Sequence, residues 1–139
     1  MKIYLDACIY LDYLMDRKDK MRPLGEFAFQ LLKRTFECEF EIIISDWVVK
    51  EIDKQIDDNI LFLEMINKLK NLKKLIKVSK SKAVEKKAKI LAEKYKTHLA
   101  DALHIILAEK AEAEYLVTRN VKDFPSRYRK LKIVFPENI

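Results

Sequence analysis

The chain has 139 residues, half of them hydrophobic, and a formal charge of +6, which suits one compact domain with a sizeable core and argues against disorder. Its single glycine, Gly25, excludes a P-loop and a dinucleotide-binding loop, because both need several glycines where backbone meets phosphate. No uncharged apolar run approaches a membrane span, Asp6 and Asp12 interrupt the apolar start where a signal peptide would have none, and Cys8 and Cys38 form no CxxC pair, so a reduced, cytoplasmic protein is expected.

In chain order, Lys2 to Asp6 (KIYLD) predicts a short strand and Ala7 to Asp16 a helix that Asp6 is placed to cap. A charged loop follows, then a helix from about Pro23 to Cys38, with the proline near its first turn. Phe40 to Ile44 predicts a second strand, and Ser45 can cap a helix running through Gln55 or Ile56. Asp58 to about Leu72 predicts a helix, Leu75 to Val78 a brief strand, and Lys82 to Tyr95 a lysine-rich amphipathic helix. Leu99 to about Ala113 predicts a further helix, and Tyr115 to Thr118 and Lys132 to Phe135 the last strands. Short apolar strands alternating with helices predict an α/β fold with a central parallel sheet of four to five strands, flanked by helices in an α/β/α sandwich.

Charge is unevenly spread. Between Lys68 and Lys96 there are twelve lysines against two acids, Glu85 and Glu93, a net of +10 that leaves −4 for the remainder. A basic flank suits a polyanion, since lysines that neutralise phosphates release counterions. For lysine runs in general, a solvated helix face is the simpler account.

The acids are more informative. Functional groups in open parallel sheets collect beyond the carboxyl ends of the strands. Asp6 ends the first strand, Glu51 lies in the helix leaving the second, and Asn120 and Asp123 follow the strand that ends at Thr118. Asp101 lies near the start of its helix and is followed by Ala102, Leu103, Ile105, Ile106 and Leu107, and a lone carboxylate in so dry a setting needs a partner. Each residue has a bland role open to it: a cap for Asp6, a boundary position for Glu51, a favourable macrodipole contact for Asp101, a turn for Asn120 and Asp123, a β-branched strand end for Thr118. Their joint placement at one edge points to a divalent cation. An all-oxygen set suits Mg²⁺ or Mn²⁺, while zinc is disfavoured with only His98 and His104 in the chain. His104, three residues after Asp101, reads more simply as a core histidine near the margin of the site.

The segments YLDAC (Tyr4–Cys8), SDWVVKEI (Ser45–Ile52), LADALHIILA (Leu99–Ala108) and LVTRNVKDF (Leu116–Phe124), in that order, resemble the PIN domain, and within it the small ribonuclease toxins of the VapC type. The resemblance implies a metal-dependent endoribonuclease holding Mg²⁺ or Mn²⁺, with RNA as substrate, a small antitoxin as partner and a homodimeric state. Carried over by position, Asp6, Glu51 and Asp101 match the first three family acids. Asn120 stands where a fourth acid is usual, with Asp123 close behind, and Thr118 matches the family hydroxyl. On this expectation Asp6 and Asp101 ligate the metal, Glu51 and Asp123 do so directly or through water, and Asn120 and Thr118 orient those waters. Arg119, Arg127 and lysines of the basic segment, among them Lys86 and Lys89, are the candidate phosphate contacts. Phe27, Phe29 and Phe36 supply either a dimer patch or core rings. A PIN-type nuclease that matures RNA without being a toxin, and an inert module that binds RNA or protein, remain as alternatives. A phosphoacceptor receiver domain fits poorly, because Ala7 rather than a second acid follows Asp6 and no lysine ends the last strand.

Overall fold

The computed structural model describes residues 1–16, 23–37 and 39–139. The expected charged loop at 17–22, and Cys38, lie outside the described residues. The elements run β1 (Lys2–Leu5), α1 (Ala7–Leu14), α2 (Leu24–Phe36), β2 (Glu41–Ser45), α3 (Asp46–Gln55), α4 (Ile60–Asn71), β3 (Leu75–Val78), α5 (Lys82–Tyr95), α6 (Leu99–Lys110), β4 (Tyr115–Val117) and β5 (Lys132–Val134). Short 3₁₀ turns occupy Val121–Asp123 and Pro136–Asn138.

Five parallel strands form one sheet in the order β3-β2-β1-β4-β5. From β1 the chain first winds outward through β2 to β3. It then returns across the sheet, through α5 and α6, to place β4 on the other side of β1. The order therefore reverses between β1 and β4, and the carboxyl ends of these two strands flank the crevice where such sheets place ligands. The register sets Leu5 beside Val117, and the Asp6 amide donates to the Val117 carbonyl at 3.0 Å. Asp6 and Thr118, the first residues past their strands, thereby become neighbours.

Parallel strands covered on both faces read as continuous apolar runs. Ile3, Tyr4 and Leu5 in β1 and Ile42 and Ile43 in β2 are fully buried. Every residue of α6 from Ala102 to Ala108 is buried, against α5 positions Val84, Ala88 and Leu91 among others. Lys86 and Lys89 lie on the exposed side of α5. Local capping follows the sequence: Ser45 Oγ accepts from the Val48 amide at 3.1 Å and Ser81 Oγ from the Val84 amide at 3.2 Å. Of the three α2 phenylalanines, Phe27 and Phe36 are half-buried, and Phe29 is exposed and stacks on Tyr13 with centroids 6.1 Å apart.

Gly25 has a packing reason of its own. A Cβ there would lie 2.8 Å from the Asp12 carbonyl oxygen and 2.6 Å from Asp16 Oδ1, so α1 and α2 approach too closely for a side chain. Gly25→Ala should cost about 1–3 kcal/mol by overpacking, read from the midpoint of urea unfolding. An unchanged midpoint would show that the two helices separate freely.

Candidate active site

Tyr4, Ser45 and His104 come from three different elements and meet beneath the carboxyl edge of the sheet. The Tyr4 hydroxyl lies 2.8 Å from Ser45 Oγ and 2.8 Å from His104 Nδ1. All three residues are buried. The far nitrogen of the imidazole faces two carboxylates: His104 Nε2 is 2.8 Å from Glu51 Oε1 and 3.3 Å from Asp6 Oδ1. The second oxygen of Asp6 accepts from the Thr118 hydroxyl at 2.8 Å. Thr118 Oγ1 in turn accepts from the Asn120 backbone amide at 3.1 Å. Asp6 occupies the N-cap position of α1, yet its side chain makes no capping bond. Both of its oxygens are turned to Thr118 and His104, so the bland capping role does not describe what this side chain does.

Asp6, Glu51 and Asp101 line one open cavity of about 470 Å³, together with His104, Asn120 and Trp47. Lys54 is the one lysine or arginine among its described lining residues. The electrostatics reflect crowding of like charge. Partial burial pushes the Asp101 carboxyl up from 3.8 to about 6, helped by the Asp6 charge and, less, by Asp123, and opposed by His104. Burial alone would lower the pKa of His104. The charges of Asp6, Glu51 and Asp101 and the hydrogen bond to Glu51 outweigh it and hold the ring above its ordinary value. These carboxylates thus favour the protonated form of the ring where the acids converge.

Asp123 falls outside this cavity. It is exposed and lines an adjoining polar pocket of about 280 Å³ with Lys96, Lys122 and Arg127, its carbonyl bonded to the Thr97 hydroxyl at 3.1 Å. Its charge adds a little to the raised pKa of Asp101. Arg119, expected at a phosphate, instead directs Nη1 onto the buried carboxylate of Asp12, tying α1 to the end of β4. Cys8, given no role from sequence, lines the cavity with its sulfur 3.6 Å from Thr118 Oγ1, and burial pushes its thiol up to about 12. The residue that sequence reasoning undervalued is His104. The available signal was its spacing of three from Asp101, which puts both on one face of α6.

The donor set fits a divalent cation. One ligand atom each from Asp6, Glu51 and His104 lies within 4.8 Å of the others, and Asp101 borders the same space.

A family model described as the PIN domain matches residues 2–122. No curated protein matches the chain. Among solved structures, the fold is similar to a toxin–antitoxin complex from Klebsiella pneumoniae, at 21% identity and a TM-score of 0.63 over 96% of this chain and 97% of that one. It is similar to VapBC2 from Rickettsia felis bound to a DNA fragment from their promoter, at 20% identity and 0.63 over 96% and 97%. It is also similar to FitAB bound to an IR36 DNA fragment, at 14% and 0.64 over 96% and 94%. Identities this low establish a shared fold.

The raised Asp101 carboxyl has a pH signature. The folded chain binds this proton more tightly than the unfolded chain, so the metal-free protein should lose stability as pH rises from 3.8 through about 6. Asp101→Asn should remove that part of the decline in thermal-unfolding scans across the window. An identical decline in the variant would assign it to other groups.

Proposed function

The chain belongs to the PIN domain family, and on that premise we propose that it is a divalent-metal-dependent endoribonuclease, the toxin of a toxin–antitoxin pair. The observation that carries this reading is the convergence of Asp6, Glu51 and Asp101 on one cavity at the carboxyl edge of β1 and β2. Three acids beside an open cleft, with one lysine among its described lining residues, suit a cation and a phosphodiester better than any apolar ligand.

In this proposal Asp6, Glu51 and Asp101 hold Mg²⁺ or Mn²⁺, and Asp123 reaches toward it from the margin. Such an ion supplies charge stabilisation at the scissile phosphate and acidifies the attacking water. Thr118 fixes the rotamer of Asp6 through its hydroxyl, and its own orientation is held by the Asn120 amide. The Asn120 side chain, lining the cavity, orients water without adding charge. Lys54, Arg127, Lys86 and Lys89 are the proposed phosphate contacts, whereas Arg119 acts chiefly to anchor Asp12. RNA as substrate, an antitoxin partner like those in the complexes of similar fold, a homodimeric state and a cytoplasmic location belong to the same reading. No helix among the described residues is long and apolar enough to cross a membrane.

Asn120 favours a second reading, an inert PIN module that binds RNA or protein, because an amide there lowers the negative charge of the site. Cleavage separates the two. Purified protein should cut RNA with Mn²⁺ or Mg²⁺ and stop on chelation, and Asp6→Asn or Asp101→Asn should lose about 10²-fold or more in rate. Equal rates in wild type and variants would refute these roles. Affinity of the Asp6→Asn protein for a short single-stranded RNA should also fall steeply between about 50 and about 200 mM salt. The combined alanine variant at Lys86, Lys89 and Arg127 should show a shallower slope, and an unaltered slope would place the phosphates elsewhere.

A further inference from the structure

We propose that His104 is a nitrogen ligand of the cation in this site, oriented by Tyr4 and Ser45, and that it makes the site favour Mn²⁺ over Mg²⁺. The inference rests on the metal-dependent reading and goes beyond the oxygen-only ligand set expected from sequence.

The geometry is that of a ligand. Adjacent donors around an octahedral ion with bonds of about 2.1 Å stand about 3 Å apart. His104 Nε2 stands 2.8 Å from Glu51 Oε1 and 3.3 Å from Asp6 Oδ1. The imidazole is 2% exposed, and Nε2 faces the space that the two carboxylates share.

The other ring nitrogen is held as metal-bound histidines usually are, by an outer partner that fixes tautomer and ring plane. His104 Nδ1–H can donate to the Tyr4 hydroxyl oxygen, and the Tyr4 hydroxyl can donate to Ser45 Oγ. Ser45 Oγ also accepts from the Val48 amide, and its two lone pairs serve both donors. In this arrangement Nε2 is the nitrogen left to face the carboxylates, and its lone pair becomes available to a cation that displaces the Nε2 proton. The relay is fully enclosed, with Tyr4 0% and Ser45 1% exposed, and it is rooted in β1 and the cap of α3.

The chemistry follows from the donor. Magnesium binds oxygen and sheds water reluctantly, whereas first-row transition ions accept imidazole readily. Two carboxylates and one imidazole therefore discriminate against Mg²⁺ more than the all-oxygen set would.

The test is electron spin echo spectroscopy of the wild-type protein with stoichiometric Mn²⁺, alongside calorimetric titration with Mn²⁺ and with Mg²⁺. Directly bonded ¹⁴N modulation is expected in wild type and absent in His104→Gln. The same variant should weaken Mn²⁺ binding by about 10-fold or more while changing Mg²⁺ binding far less. Tyr4→Phe, which removes the relay and keeps the ligand, should retain the modulation and weaken Mn²⁺ several-fold. Bound Mn²⁺ without ¹⁴N modulation in wild type would overturn the inference even if the variants do not fold. An unchanged Mn²⁺-to-Mg²⁺ preference in folded His104→Gln would overturn it too. Modest Mn²⁺ binding with cleavage intact but no nitrogen signal would leave the nuclease reading standing and remove His104 from the ligand set. Absence of any Mn²⁺ binding would remove both.

Discussion

Carboxylates brought together in a partly dry crevice repel one another, and the rest of the site is organised around that repulsion. Asp6, Glu51 and Asp101 share one cavity; burial first and the Asp6 charge second raise the Asp101 carboxyl, and the three carboxylates raise the pKa of the buried His104 against the effect of its burial. The Thr118 hydroxyl, itself held by the Asn120 backbone amide, steers one oxygen of Asp6 but adds no charge. Positive charge must be supplied. A divalent cation would supply it in little space.

The fold creates this problem by placing β1 at the centre of a parallel sheet. Strand β1 is buried on both faces and pairs with β2 on one side and β4 on the other. Every strand ends at the same edge, so whatever follows β1, β2 and β4 is driven together. Asp6 follows β1, Ser45 closes β2, and Thr118 follows β4. Helix α3 then carries Glu51 back over the edge, and α6 brings Asp101 and His104 on successive turns of one face. The helices thus deliver the groups that the strands cannot.

Much of this was legible in the residues. The alternation of apolar strands with helices was enough for the parallel α/β architecture, and β3 and α5 have the expected bounds. Strands β1, β4 and β5 each stop one residue earlier than expected, at Leu5, Val117 and Val134, although the Asp6 and Thr118 amides still donate to the neighbouring strand. Asp101 announced itself as a charge among Leu, Ala and Ile. His104 did not, since a histidine in an apolar helix looks the same whether its nitrogens serve packing or chemistry. Asp123 could not be separated from the acid cluster by sequence, because a few residues of 3₁₀ turn decide which pocket it lines. The use of Arg119 was hidden for a similar reason: Asp12 reads as one more polar helix position, and only the packing of α1 against the end of β4 makes it a buried anion needing that guanidinium.

The central claim is that these distant acids exist to hold one cation. Anomalous diffraction from crystals soaked in Mn²⁺ tests it most directly. The account predicts a peak within bonding distance of Asp6, Glu51 and His104, bordered by Asp101. Crystals saturated with Mn²⁺ that show no peak in this cavity, or show it bound only at some other surface, would contradict the account.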